Sequence, residues 1–198
     1  GRPLGSGSGG AVSLYRRKTD GVPVAVKRFA PARVGESLQH RANKVDAEIQ
    51  LLCMLSHPNI MNVLDRASDY TVKLLVTECY AGDLFSAVER NLSSMEMREL
   101  FCQLLRAVAY MHSRGVAHRD LKLENICIDR DDQIKIIDLG NAIRVAPTTA
   151  ATQESLCFGV YGSDPYAAYA DAGYNPFKAD LWALGILLVA MTHKSFVW

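Results

Sequence analysis

From Gly1 to about Val76 the apolar positions come in short runs broken by turn residues, and from Asp83 onward they recur at helical spacing. In the first regime Val22-Pro23-Val24-Ala25-Val26 follows Thr19-Asp20-Gly21, and Thr71 to Thr77 is a second apolar run. Both read as strands bounded by turn chemistry. One helix interrupts them: Val45, Ile49, Leu52 and Leu55 recur at three- and four-residue spacing, ending before His57-Pro58. In the second regime Leu100, Leu104, Val108 and Met111 form one face of a long helix, with Ser93 or Ser94 as its N-cap. Ile126-Cys127-Ile128 and Ile134-Lys135-Ile136-Ile137 flank Asp129-Arg130-Asp131-Asp132 and predict a short strand pair around a polar turn. Leu181 to Met191 is apolar nearly all round, too short to span a bilayer, and reads as a buried helix. A β-rich part followed by a helical part is an α+β arrangement, and no internal repeat is visible.

Composition narrows the class. The 198 residues suffice for one large domain or two small ones with a sizeable core. Hydrophobic content of 49% with 22% charged residues argues against global disorder. A formal net charge of +1 gives no reason to expect a nucleic acid or an anionic membrane as partner. The cysteines, Cys53, Cys79, Cys102, Cys127 and Cys157, are widely spaced and lack a C-x-x-C pair, which fits reduced thiols in a cytoplasmic protein. No signal peptide is visible. The chain does not begin with Met and stops at Phe196-Val197-Trp198 without a cap, so both ends read as cut.

The candidate chemistry lies in Ala117-His118-Arg119-Asp120-Leu121-Lys122-Leu123-Glu124-Asn125. Asp120 and Asn125 sit five apart with Lys122 between them, and Asp138-Leu139-Gly140 follows a short apolar run. A carboxylate, an ammonium and an amide in one loop, with a second carboxylate in the next, are the parts that phosphoryl transfer needs. They can orient an attacking hydroxyl, hold Mg²⁺ and neutralise charge at the γ-phosphate. The run matches H-R-D-L-x-x-x-N completely. On these residues the chain resembles the eukaryotic protein-kinase family.

That resemblance implies a bilobal fold, with an N-lobe over residues 1–79 and an incomplete C-lobe over 80–198, truncated after its helix F. It implies ATP and Mg²⁺ as cofactors and protein Ser/Thr hydroxyls as substrates, with no nucleic acid and no transmembrane segment. Gly5, Gly7, Gly10 and Val12 fit the glycine-rich loop G-x-G-x-x-G-x-V, although Gly-Ser repeats also look like a linker. Val24-Ala25-Val26-Lys27 matches V-A-I-K, so Ala25 would line the nucleotide site and Lys27 would pair with the phosphates. Glu48 would orient Lys27, with Asp46 as its rival. Thr77 falls at the gatekeeper position, Glu78 and Tyr80 would offer backbone groups to adenine, and Asp83 and Cys127 would complete the nucleotide-binding set. Asp120 would orient the acceptor hydroxyl, Lys122 would stabilise transferred charge, and Asn125 and Asp138 would bind Mg²⁺. Lys122 is the Ser/Thr form of this loop. His118 would belong to a hydrophobic spine.

Gly162-Ser163-Asp164-Pro165-Tyr166 and Ala179-Asp180-Leu181-Trp182 resemble the substrate-facing loop and the start of helix F. With Cys79-Tyr80-Ala81-Gly82-Asp83, they look like the fungal permease-regulating kinases of the nitrogen-permease-reactivator and halotolerance type. Three departures stand out. Leu139 replaces the Phe of Asp-Phe-Gly, and Ala168-Tyr169-Ala170 stands where the family has Ala-Pro-Glu. The usual phosphosite of the activation loop is Gly159, with Thr148, Thr149, Thr152 and Ser155 nearby, so Arg119 would have no loop phosphate to bind and activation-loop phosphorylation would be dispensable. A nucleotide-binding pseudokinase, a scaffold or an inactive fragment remains the alternative to an enzyme.

Overall fold

The computed structural model describes residues 1–7, 9–68, 72–145, 156–157, 162–167 and 173–194. The chain divides into two compact units, one formed by Gly1–Ser56 with Met61–Cys79, the other by His57–Ile60 with Tyr80–Trp198.

The first unit is a five-stranded antiparallel sheet with one helix. Its strands are β1 (Arg2–Gly7), β2 (Gly10–Arg16), β3 (Pro23–Phe29), β4 (Val63–Ser68) and β5 (Lys73–Glu78), in the order β1-β2-β3-β5-β4. The glycine-rich segment is thus the β1–β2 hairpin. Gly10 cannot be replaced there, because its φ is +151° and a Cβ would stand 2.1 Å from the Arg28 carbonyl oxygen. Register sets the faces: Val12 pairs with Lys27, Lys27 with Leu75, and Ala25 with Thr77. Directly paired and alternate residues share a face, so Val12, Ala25, Lys27, Leu75 and Thr77 line one side of the sheet. Strand β4 was not legible, since Val-Leu-Asp-Arg-Ala-Ser carries no alternation and is almost wholly exposed at the sheet edge.

Helix α1 (Leu38–Met54) is capped by Ser37 and buries Val45, Glu48, Ile49, Leu51 and Leu52. The apolar spacing predicted this stripe, and the helix ends before His57 as expected.

The second unit is mainly helical. Helix α2 (Leu84–Glu89) is capped by Asp83, and α3 (Ser94–Ser113) starts in a Ser93/Glu96 capping box. A core of Leu104, Ala107, Val108 and Met111 from α3 joins Val116, Ala117, Ile126, Ile134, Ile136, Leu187 and Met191. A three-stranded sheet pairs β6 (Gly82–Asp83), β8 (Ile126–Ile128) and β9 (Ile134–Ile136), while β7 (Val116–Ala117) pairs with β10 (Ile143–Arg144). The β8–β9 pair is the predicted one. The segment after α1 belongs here rather than with residues 1–79. Ile60 bridges to Ile136, and Asn59 donates to Gln103 Oε1 at 2.9 Å and the Ile134 carbonyl at 3.1 Å.

Helix α4 (Pro176–His193) buries Asp180, Ala183, Leu184, Ile186, Leu187, Ala190 and Met191, while Leu181, Trp182 and Leu188 are exposed. Its apolar side chains divide between a buried and an exposed side. None of the five cysteines forms a disulfide. Among the described residues no helix is long and apolar enough to cross a membrane.

Candidate active site

In the first unit, β3 ends in a lysine whose charge is met from α1. Lys27 Nζ donates to Glu48 Oε1 at 2.6 Å, and both side chains are largely buried. Two charges leave water together only when each compensates the other. Lys27 Nζ also stands 5.1 Å from the Phe29 ring centroid. Asp46, the rival for this role, instead pairs with Lys73 at 2.5 Å. Gly5 and Gly7 face open space, where a Cβ would meet nothing within 4 Å. Val12, Ala25 and Thr77 share the Lys27 face of the sheet, as the register dictates. Glu78 pairs with Val24 and so points to the opposite face, where its Oε1 lies 3.4 Å from Asn62 Nδ2. Only its backbone can belong with the Ala25 side, and its carbonyl accepts from the Thr77 hydroxyl at 3.2 Å.

In the second unit a loop between β7 and β8 gathers the remaining groups. Asp120 Oδ1 accepts from the Ser163 hydroxyl at 2.9 Å, and Lys122 Nζ donates to the same Ser163 oxygen at 2.7 Å. Asp120 Oδ2 faces Lys122 Nζ at 3.3 Å, Asn141 Nδ2 at 3.3 Å and Asn125 Nδ2 at 3.4 Å. The carboxylate thus turns one oxygen to a hydroxyl and the other to three donors. Asn125 Nδ2 also donates to the Asp120 carbonyl at 2.9 Å, which leaves the amide oxygen as the atom to offer a cation. The Ile137 amide donates to the Asn125 carbonyl at 3.1 Å and so sets Asp138 beside it, with Asp138 Oδ1 accepting from Gly140 N at 2.9 Å. Among the described residues no group of three or more His, Cys, Asp or Glu could cage a metal. One amide oxygen and one carboxylate suit Mg²⁺, which completes its shell with water and phosphate oxygens.

Asp83 caps α2, its carboxylate accepting from Ser86 N at 2.6 Å. It pairs in register with Cys127, so the two share a face of the β6–β8 sheet. Tyr80 is half-buried at the join to β6. Glu124 is exposed in the 3₁₀ turn Leu123–Asn125. Thr148, Thr149, Thr152, Ser155, Gly159 and Ala168-Tyr169-Ala170 lie outside the described residues.

Two roles escaped the sequence reading, those of Asp180 and Asn141. Asp180, 1% exposed, accepts the His118 and Arg119 backbone amides on separate oxygens, each at 2.8 Å, and His112 Nε2 lies 2.8 Å from its Oδ2. A lone carboxylate in an apolar helix was the available signal. Asn141 holds the loop from the other side, since its carbonyl accepts from Arg119 Nε at 2.7 Å. These bonds keep Arg119 at φ +65°, a left-handed conformation that a non-glycine residue rarely adopts. Ser163 was read as part of a substrate-facing loop, without its bond to Asp120. Gly162 lets that loop approach closely, for a Cβ at its φ of +104° would stand 3.2 Å from the Arg119 carbonyl. Tyr166 closes the turn through its amide bond to the Ser163 carbonyl at 2.7 Å, and burial pushes its phenol up to about 12.

His118 is fully buried, with Nδ1 accepting from Asp120 N at 3.2 Å and Nε2 without a partner among the described residues. Burial holds its pKa below the usual 6.5, outweighing the opposing pull of Asp180, Asp138 and Asp120, while Lys122 adds to the lowering. Because the folded state resists protonation, the unfolded chain binds the proton first as pH falls. His118 therefore supports stability above its unfolded pKa of about 6.5, and that support is lost as pH falls toward the lower folded value. Urea midpoints for the chain and His118→Phe between pH 7.5 and 5 check this. The acid decline is expected to be shallower in the variant, and equal slopes would remove His118 as a cause.

The protein-kinase family model, described as "Protein kinase domain", matches residues 1–198. The chain belongs to the protein kinase domain family. It is 40% identical to the serine/threonine-protein kinase oca2 of Schizosaccharomyces pombe over all of this chain and 31% of that protein. In Saccharomyces cerevisiae, the probable serine/threonine-protein kinase RTK1 is 36% identical over all of this chain and 33% of that protein. The nitrogen permease reactivator protein of the same yeast is 37% identical, again over the whole chain and 25% of that protein. The chain thus spans a third or less of these relatives' length. The sheet-rich first part and helical second part are those of the family the motifs indicated.

Proposed function

We propose that the chain is the catalytic part of a Ser/Thr protein kinase, transferring the γ-phosphoryl group of ATP to a protein hydroxyl. The observation that carries this reading is the Ser163 hydroxyl, held 2.9 Å from Asp120 Oδ1 and 2.7 Å from Lys122 Nζ. A hydroxyl, a carboxylate to orient it and a cation beside its oxygen are what an acceptor requires. In the reaction an acceptor oxygen attacks the γ-phosphorus, its proton passes toward Asp120, and the bond to the ADP oxygen breaks. Asp120 mainly orients, since little covalent chemistry falls to the protein when the transition state is loose. Lys122 offsets charge on the transferring group. Lys27, held by Glu48, would engage the α- and β-phosphates, and the Gly5–Gly10 hairpin would bring backbone amides to them. Asn125 and Asp138 would hold Mg²⁺, which when bound neutralises phosphate charge as a Lewis acid. A peptide-array assay with Mg·ATP tests the reading, and absence of any transfer to Ser or Thr peptides would sink it.

The acceptor preference should lean toward Arg a few residues before the phosphorylated hydroxyl. Glu124 is exposed on the loop that carries Asp120, and an Arg–carboxylate pair is strong and directional. The Asp83 carboxylate is partly spent on its cap. Ala190, where some basophilic relatives carry another acid, is 3% exposed and offers no second contact. A positional peptide scan should show one basic position, with Glu124→Gln reducing that preference about tenfold. A flat scan would count against it.

A further inference from the structure

Helix α1 breaks a local rule at its start. It has no acidic residue in its first turn, and Arg41 closes that turn instead. A cation there faces the positive end of the helix dipole, an unfavourable placement that needs compensation from elsewhere. The side chain leaves the helix to find it. Arg41 Nε donates to the Ala30 carbonyl at 2.9 Å and Nη2 to the Gly9 carbonyl at 3.0 Å, both part-buried. The Ala30 amide donates to the same Gly9 oxygen at 3.0 Å. Gly9 is therefore held from two sides just before the strained Gly10, and Ala30 is held through both of its backbone groups.

Gly9 also adjoins the lysine, since a Cβ built on it would stand 3.5 Å from Lys27 Nζ. Arg41 and Glu48 lie seven residues apart, two turns along one face of α1. One helix face thus grips β3 at Lys27 through Glu48, and again just past its end at Ala30 through Arg41, where it also takes the glycine turn. We propose that Arg41 is a positioning residue for phosphate binding, clamping the glycine turn to α1 so that turn, Lys27 and Glu48 keep one geometry. The inference rests on the nucleotide reading given above. The planar guanidinium spans two carbonyls at once, which a lysine ammonium on a flexible stem does poorly. Any displacement of α1 would then reach the turn directly rather than Lys27 alone.

The test measures binding of Mg·ATP and of adenosine by calorimetry to the chain, Arg41→Lys and Arg41→Ala. Amide hydrogen exchange is followed at Gly10 and Ala30 in the nucleotide-free proteins. Loss of the clamp should weaken Mg·ATP binding about tenfold in Arg41→Ala, leave adenosine affinity unchanged, and speed exchange at Ala30. Arg41→Lys should recover part of each loss. A merely structural role would weaken both ligands alike, and that result overturns the proposal, as does unchanged exchange at Ala30. If the parent chain binds neither ligand, the nucleotide reading fails, and the exchange comparison still decides the clamp.

Discussion

An Asp120→Asn variant will transfer phosphate about a thousandfold more slowly than the parent while binding Mg·ATP with nearly the same affinity. The amide keeps the shape of the carboxylate but not its charge or its capacity to accept on both oxygens. At Oδ1 it can still meet the Ser163 hydroxyl. In place of Oδ2 it presents an amide NH₂, which faces Lys122 Nζ and the Asn125 and Asn141 amides, all donors themselves. The side chain must then turn or shift, and an acceptor hydroxyl loses both its orientation and its proton acceptor. The effect belongs in kcat. Lys27→Met and Asp138→Asn, measured beside it with a fluorescent ATP analogue, should show the reverse pattern, with Mg²⁺-dependent affinity falling. Near-parent turnover in Asp120→Asn would remove Asp120 from the reaction. Equal Mg²⁺-dependent affinity in the parent, Lys27→Met and Asp138→Asn would remove the nucleotide assignment.

The residues that motifs disclosed are those whose chemistry fixes both type and spacing over a few positions. Asp120, Lys122 and Asn125 lie on one loop, so local sequence carries their relation, and the structure brings all three to one carboxylate. Lys27 and Glu48 are separated by 21 positions, yet the family resemblance put Glu48 ahead of its rival Asp46, and the two side chains meet at 2.6 Å. Likewise α1, α3 and the β8–β9 pair announced themselves through apolar period and caps.

What stayed hidden depends on partners distant in sequence or on elements too short to hold a period. Helix α2 has six residues, less than two turns, so no stripe repeats. The role of Arg41 depends on backbone carbonyls, which have no residue identity to recognise. The cap that Asp83 makes on α2 was hidden likewise, because its partner is a backbone amide three residues on, equally invisible by type. Ser163 meets Asp120 across 43 positions and Asn141 meets it across 21, through a fold that no local window contains.

Asp180 is the extreme case, 62 positions from the His118 amide it accepts, and its replacement should be the most damaging to stability of any single change in the second unit. Its two oxygens serve different donors, Oδ1 the Arg119 amide and Oδ2 the His118 amide, with His112 Nε2 also at Oδ2. Asp180→Ala strands two backbone N–H groups in an interior where each unsatisfied donor costs about 1–3 kcal/mol. The sum, roughly 2–6 kcal/mol, is a large share of the 5–15 kcal/mol that holds a typical domain folded. For a chain of this size it should lower the melting temperature by about 10 °C. Asp180→Asn is the sharper probe. An amide presents one acceptor and one donor, so one backbone N–H must face an NH₂ group, and the conservative change should be nearly as harmful as alanine. Arg119 is the residue least able to absorb the loss, because its left-handed φ depends on these bonds and Asp120 follows it directly. Kinase activity should therefore fall even at temperatures where Asp180→Asn remains folded. His112→Ala removes one contact at an oxygen that keeps another, and should cost only about 1 kcal/mol. A melting temperature for Asp180→Asn within about 2 °C of the parent, with activity intact, would mean that the loop holds its shape without this carboxylate.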